Sequence, residues 1–419
     1  MAILSFSLLF SPAFETAETA LYAAELRVCA ACPFTDPEKA ISAAVPGDTV
    51  ILDGGTYSVS TLIINKTLKL QGRNGAVIDG QQRGNVIRIY KADDVEIENI
   101  IIKNGGISDI DEYAGIYVEY SKRCSIHNNE ILRTAYGIYI ANSSDCVVRG
   151  NHIRGEIENE VHAGNGIHIW SSTGTQLLEN RIEKHRDGLY FEFATGMLIQ
   201  KNECMNNIRY GMHFMFAGDN VFKENLFHDN STGVAVMYSR NITVLNNEFR
   251  DSRGFSAYGL LLKDIVSSRF EDNLFSANTV ALFLDNCGRN EFRRNLVKSN
   301  GWAVRILGSS DGNNFEDNAF VDNVFDISTN SRDNPNSYRS NFWSKYTGYD
   351  LNRDGFGDVP YYPVQIFGYW VGKYELLIFL LSSPLVEFLE FAERAFPVIT
   401  PTNLTDPRPV FKKREQREQ

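Results

Sequence analysis

The chain has 419 residues, 43% of them hydrophobic and 22% charged, proportions that exclude bulk disorder. Its 41 basic and 52 acidic residues leave a formal charge of −11, which argues against nucleic acid as a partner. No apolar run reaches the roughly 18 residues of an ordinary membrane span, and six cysteines are too few for a disulfide scaffold.

In chain order, residues 1–24 come first. Ile3 to Phe14 form an apolar stretch broken by serines and Pro12, followed by small residues around Ala23 and Ala24. The stretch reads as a secretory h-region and cleavage zone that lacks a basic n-region, with a buried N-terminal cap as the alternative. An exported protein is the expectation. Cys29-Ala30-Ala31-Cys32 precedes Pro33 rather than His, so the pattern excludes covalent haem attachment. The spacing fits either a disulfide loop or a copper(I) thiolate pair.

Residues 25–330 are periodic. A glycine opens each unit and an asparagine follows fourteen residues later: Gly115/Asn129, Gly137/Asn151, Gly166/Asn180, Gly188/Asn202, Gly211/Asn225, Gly233/Asn247 and Gly259/Asn273. Successive glycines lie 22 or 23 residues apart except where insertions at Gly155–Ala163 and Ser252–Ala257 lengthen the step. Four columns in this register are wholly apolar. One residue after the glycine, for example, stand Ile116, Ile138, Ile167, Leu189, Met212, Val234 and Leu260. A single such column arises by chance well under about one time in a hundred. Period-two alternation in units this short predicts stacked strands, hence an all-β, right-handed parallel β-helix solenoid. The asparagines are expected at turns, their amides bonding the rungs above and below. Cys124 and Cys146 fall on consecutive rungs within disulfide reach, with buried free thiols the commoner outcome for such a pair.

Residues 331–363 are rich in Asp, Asn, Gly and aromatics. Asp350, Asn352, Asp354 and Asp358 occupy positions 1, 3, 5 and 9 of a calcium-type loop, with Gly355 at the sharp turn and Phe356 offering a carbonyl. Position 12 is Tyr361, so the usual bidentate Glu is missing. Residues 364–419 form a tail whose pattern turns helical from Lys373 to Phe396 with a break at Ser382-Ser383-Pro384. This short helical tail serves either to cap the solenoid or to dock on a membrane partner.

With this register in hand, the chain resembles the NosD family of copper-associated β-helix proteins. Ala43 to Val50 with Gly55-Thr56-Tyr57 is similar to that family's entry rung. Asn341-Phe342-Trp343-Ser344-Lys345-Tyr346 and the run from Asp350 to Tyr361 resemble its C-terminal signature, and Leu380 to Val386 with Phe396-Pro397 resemble its tail. The resemblance implies a periplasmic, non-enzymatic accessory protein held at the inner membrane through its partners. Those partners would be the membrane subunits of an ABC transporter, a copper-donating lipoprotein or chaperone, and nitrous oxide reductase, whose copper–sulfur centre the system assembles.

Side chains two and four residues after each glycine face outward. The first column reads Tyr117, Tyr139, His168, Tyr190, His213, Ala235 and Leu261, the second Glu119, Ala141, Trp170, Glu192, Met215, Met237 and Lys263. Imidazole and thioether are ligands suited to copper(I), so His213, Met215 and Met237 are the leading copper set. They are expected on an exposed sheet face, with His168 as a second station and Trp170 and Tyr190 as shields. Met205 and His228, each three residues after its asparagine, form a second candidate pair, and Cys29 with Cys32 a third. His127, His152 and His162 read as surface or loop histidines. The rival function is a carbohydrate lyase, epimerase or hydrolase, common on this fold. Such an enzyme needs a base beside a charge-neutralising group or a pair of carboxylates in one groove. Asp187 near His185, and Glu119 and Glu192 three rungs apart, supply no tight carboxylate pair.

Overall fold

The structure is a computed structural model that describes residues 23–108, 110–156, 163–331, 333–395 and 404–411. The expected h-region, His162, the Phe396-Pro397 motif and the basic Lys412-Lys413-Arg414 run lie outside these residues.

Each rung gives one short strand to each of three all-parallel sheets of 14, 12 and 13 strands. The glycine register predicts the pairing: Ile116, Ile138, Ile167, Leu189, Met212, Val234 and Leu260 are successive partners in the 12-stranded sheet. The register resumes unshifted across both insertions: Ile138 pairs with Ile167 and Val234 with Leu260, as elsewhere in the column. All four apolar columns are buried. In the C-terminal half the interior becomes aromatic, and Phe270, Phe292, Phe315 and Tyr338 stack face to face at centroid spacings of 4.7, 4.5 and 4.8 Å. One-rung translation of a flat ring produces this stacking, because like side chains sit one strand spacing apart.

The corner between two of the sheets explains the asparagine column. Residue 128 and its equivalents just before each ladder asparagine (Glu179, Lys201, Glu224, Asn246) have φ between 52 and 58°, a left-handed conformation that costs a non-glycine residue about 1 kcal/mol. The asparagine offsets that cost. Asn225 donates its Nδ2 hydrogens to the Ile199 carbonyl of the preceding rung and to Asn247 Oδ1 of the next, which also accepts from the Asn225 backbone N–H. Repetition gives a continuous buried ladder from Asn129 to Asn341.

Both ends are closed. Helix α1 (Pro37–Ala43) starts from the Asp36 cap and buries Ala40 and Ile41 over the first rungs. At the other end the solenoid runs past residue 330 to the strand Phe342–Trp343, so the Asn341-Phe342-Trp343 motif is its last rung. The ladder is completed by the segment 404–411: Asp406 Oδ2 accepts from Asn341 N–H, Asn341 Nδ2 and Trp343 Nε1 at 3.0, 3.1 and 3.0 Å. An aspartate suits this position because the terminal rung offers donors and no further asparagine to receive one.

The helical tail starts earlier than its pattern indicates. Helix α2 spans Ile366–Lys373, a 3₁₀ turn covers Glu375–Leu380, and α3 spans Pro384–Ala395. Pro384 opens α3 without loss of a needed donor, and Glu393 accepts from the Ile366 N–H at the start of α2. Phe367, Val371 and Val386 pack on Phe325 of the last strand of the 12-stranded sheet, so the tail does cap that edge. Its other side is bare: Leu376, Phe379, Phe388 and Phe391 are 79, 84, 65 and 69% exposed.

Replacing Asp406 by Ala strands three buried donors, each worth about 1–3 kcal/mol when left unpaired. We expect Asp406→Ala to lose about 3 kcal/mol in urea unfolding and Asp406→Asn, which keeps an acceptor oxygen, less than half of that. Equal losses would assign the effect to charge rather than to ladder completion.

Candidate metal centre on the outer face of the middle rungs

His168, Tyr190 and His213 are direct cross-strand partners on the outer face of the 12-stranded sheet, and Met215 is paired with Met237. Side chains two apart on a strand share a face, so register alone brings one imidazole and two thioethers to adjacent positions. Met215 and Met237 are half-buried. The Tyr190 hydroxyl points at Met215 Sδ from 3.7 Å.

The expectation of an exposed face needs correction for the imidazoles. His168 and His213 are only 5 and 7% exposed. Tyrosines one residue before the glycine column lie over them: Tyr136 sits 5.7 Å from His168 and Tyr210 4.8 Å from His213, ring centre to ring centre. Within the column Tyr139, His168, Tyr190 and His213 follow one another at ring-centre distances of 4.3, 4.6 and 4.9 Å, the first contact tilted and the other two edge-to-face. Tyr190 thus separates the two histidines and acts as the expected shield, whereas Trp170 is 37% exposed.

Three buried histidine rings, two in this column and His185 at a buried corner beside Asn207, have nitrogens without a hydrogen-bond partner among the described residues: both nitrogens of His213, and Nε2 of His168 and of His185. Burial holds the His168 ring down to about 3, with the Arg186 charge adding to the effect, and holds His185 down to about 4. The His168 and His185 rings are neutral near pH 7. His213 Nδ1 stands 3.6 Å from Asp187 Oδ2, too far for a hydrogen bond. Asp187 is fully buried and is gripped by Arg209 through two contacts of 3.0 and 2.6 Å. Burial pushes the Asp187 carboxyl up, but His213 and Arg209 outweigh it and hold the group below the usual carboxylate range.

The Asp187–Arg209 pair was not foreseen from sequence, although its signal is positional: Asp187 immediately precedes a column glycine and Arg209 stands two before the next. A further outer column was also missed. Phe193, Phe216 and Tyr238, five residues after their glycines, stack at 5.4 and 5.0 Å while remaining 52, 45 and 42% exposed. They directly follow Glu192, Met215 and Met237, and Phe216 and Tyr238 line a surface groove with Asp219, Arg240 and Asp264.

The other copper candidates fare differently. Met205 and His228 are cross-strand partners, but Glu203 and Asp229 take both His228 nitrogens at 3.0 and 2.7 Å. Arg181 points at the Met205 sulfur from 3.4 Å. Cys29 and Cys32 form a disulfide with a Cα separation of 5.0 Å, the first of the two expected alternatives and not the copper(I) pair, because a disulfide offers no thiolate. Cys124 and Cys146 are buried free thiols, and contact with Cys146 together with burial raises the Cys124 thiol far above its ordinary range.

His127 and His152 are strand residues paired with Glu96 and Glu183. Among the described residues, Glu96, Glu98 and His127 form the one set of three His, Cys or carboxylate ligand atoms within 4.8 Å of one another. Lys69 already bridges both glutamates at 3.0 and 2.8 Å and offsets one of their two charges. In the calcium-type loop, Asp350 accepts from the backbone of Asp354 and Gly355, and Asp358 from Leu351. Asp354 pairs with Arg408 at 3.1 Å. The loop's carboxylates therefore satisfy its own turns and a cation from the closing segment.

The buried histidines predict a pH dependence. Unfolded, both rings take up protons as pH falls below about 6.5; folded, His168 stays neutral to about 3 and His185 to about 4. Their contribution to stability is complete above about pH 6.5 and is lost as pH falls through that window. Unfolding at pH 5 should take up about two protons from this pair, and the slope of stability against pH should fall by about one proton in His168→Gln. An unchanged slope would mean that His168 is open to solvent.

Comparison with known proteins adds the following. The family model described as "Periplasmic copper-binding protein (NosD)" matches residues 154–349, and that of the "Right handed beta helix region" matches residues 50–159. The "Probable ABC transporter binding protein NosD" of Stutzerimonas stutzeri is 30% identical over 382 residues, 86% of each chain. The Pseudomonas aeruginosa protein of the same name is 27% identical over 86% of this chain and 87% of its own. Among solved structures, the A-module of the Azotobacter vinelandii mannuronan C-5 epimerase AlgE6 is similar at a TM-score of 0.51 and 16% identity, covering 72% of this chain and 93% of that one. A Yersinia enterocolitica family 28 exopolygalacturonase is similar at 0.56 and 12%, covering 76 and 77%. At these identities the two enzymes share the fold and nothing more. The identity, coverage and matched rungs together establish that the chain belongs to the NosD family.

Proposed function

We propose that this chain is a periplasmic, non-catalytic copper-binding protein that works with an ABC transporter in assembling the copper–sulfur centre of nitrous oxide reductase. The supporting observation is the juxtaposition of Met215 and Met237, in direct register, with a buried His213 ring whose nitrogens make no hydrogen bond among the described residues, Asp187 standing 3.6 Å from Nδ1. Copper(I) accepts soft sulfur and low coordination, and an imidazole with two thioethers meets both preferences. The chain's residues divide the work. His213 is held by the tyrosines stacked on it, and the longer, flexible thioethers swing toward it. Met215 and Met237 stand at the border between the covered column and the exposed aromatic row, so release passes through them to a docked protein. His168, beyond Tyr190, serves as a second station.

Met215→Leu with Met237→Leu keeps volume and apolarity while deleting both sulfurs. An anaerobic competition titration of the variant should take up about one copper(I) fewer per chain than the parent, with the circular dichroism unchanged. An unaltered titration would remove this site from consideration.

The bare side of α2–α3 supports docking on an apolar partner, as the transporter relationship requires. Among the described residues no helix is long and apolar enough to cross a membrane. Deleting the tail would also remove Asp406 and uncover Phe325, so surface substitutions give the cleaner test. Phe379→Glu with Phe388→Glu should leave the melting temperature within a few degrees and abolish copurification with the transporter's membrane subunits. Retained copurification would transfer docking to the solenoid.

The carbohydrate-enzyme reading has one feature in its favour, the Asp187–Arg209 pair beside His213. The pair is already neutralised internally, Arg209 holding both carboxylate oxygens of Asp187.

A further inference from the structure

At the seam between the last rungs and α2, a small, partly open recess of about 40 Å³ is lined by Arg305, Ser328, Asn330, Tyr369 and Lys373 among others. Arg305 and Ser328 are direct cross-strand partners on the outer face of the 12-stranded sheet, and Lys373 is the last residue of α2. Two cations therefore meet here from different elements in a chain whose net charge is −11. Neither has a carboxylate partner among the described residues. Each instead lies against an aromatic ring: the Arg305 guanidinium is 5.5 Å from the Trp302 ring centre and the Lys373 ammonium 4.6 Å from that of Tyr369.

The polar lining is weighted toward donors. Asn330 spends its acceptor oxygen on the Gly308 N–H at 2.8 Å, which leaves its NH₂ group available. Ser328 is 5% exposed, and its hydroxyl faces Gly372 so closely that a Cβ there would stand 3.2 Å from Oγ. Two full positive charges, an amide NH₂ and two hydroxyls without a carboxylate among them are a lining for a small anion with several acceptor oxygens. The opposing field, the C-terminal end of the α2 dipole, amounts to about half a charge against two formal cations.

We propose that this recess binds a tetrahedral oxyanion of the sulfate or phosphate class, which bridges Arg305 of the solenoid and Lys373 of the tail. The shared chemistry is a dianionic or monoanionic oxyanion, either free or carried as a phosphate headgroup. Occupancy would pin α2 to the last rungs and so fix the direction in which the bare face of the tail points. The inference is independent of the copper assignment.

The test uses the full-length chain and its Arg305→Gln/Lys373→Gln variant in sodium sulfate, sodium phosphate and sodium chloride at equal ionic strength. Sulfate stabilises most proteins by exclusion, with a response that keeps rising with concentration. The proposal predicts an added, saturable rise in melting temperature for the parent alone, together with a saturable change in tryptophan fluorescence as Arg305 leaves Trp302. In a second arm, cosedimentation with phosphatidylglycerol vesicles that requires Arg305 and Lys373, without saturation by free anions, would assign the oxyanion to a headgroup. Should the double variant fold poorly, Lys373→Gln alone, at an exposed position, must reduce the saturable component at least several-fold. Identical responses of parent and variant in both arms would overturn the proposal.

Discussion

The fold depends on one repeated contact, the asparagine that bonds simultaneously to the rung before and the rung after it. A parallel solenoid has no hairpins to set register, and a slip of one residue would turn every core side chain to the outside. The ladder from Asn129 to Asn341 prevents this by tying each left-handed corner to its neighbours. Because the corners are fixed, the register is the same on both sides of each insertion, and columns of like residues persist from one end to the other. The closure by Asp406 belongs to the same logic: a ladder of donors and acceptors needs a final acceptor, and the chain returns from 65 residues away to supply it.

Fixed register also determines what the outer face can do. Residues far apart in sequence become permanent neighbours at strand spacing, so one rung can supply imidazole and thioether and the next another thioether. The same rigidity places tyrosines above and beside the histidines. Their burial keeps His168 neutral and leaves ring nitrogens of His168 and His213 without partners, an arrangement costly in a purely structural surface and useful in a ligand. Nearby, Asp187 retains its charge because His213 and Arg209 stand beside it, in a place fully removed from solvent.

The core and the pairing were legible in the sequence because a β-helix writes its register as columns: the glycines, asparagines and four apolar positions needed no tertiary information. The outer site was legible in part. That Met215 and Met237 are neighbours follows from their common offset from Gly211 and Gly233. That His213 is covered does not, because the covering Tyr210 belongs to a column that is aromatic in only some rungs. Asp406 was invisible, since nothing local marks a residue that completes a ladder across so long a separation. The start of α2 was missed because Ile366-Phe367-Gly368-Tyr369-Trp370-Val371 contains five β-favouring residues and a glycine, and packing on Phe325 overrides that propensity. Cys29 and Cys32 were ambiguous by spacing alone, and the geometry of the first rung decided for the disulfide.

X-ray absorption at the copper edge, on protein loaded anaerobically with one equivalent of copper(I), tests the central claim that register assembles a His–Met–Met site. The account predicts a copper(I) edge and a first shell of two sulfur neighbours and one nitrogen, with the sulfur component lost in Met215→Leu/Met237→Leu. A first shell of nitrogen or oxygen alone, or a sulfur shell unchanged in that variant, would contradict it.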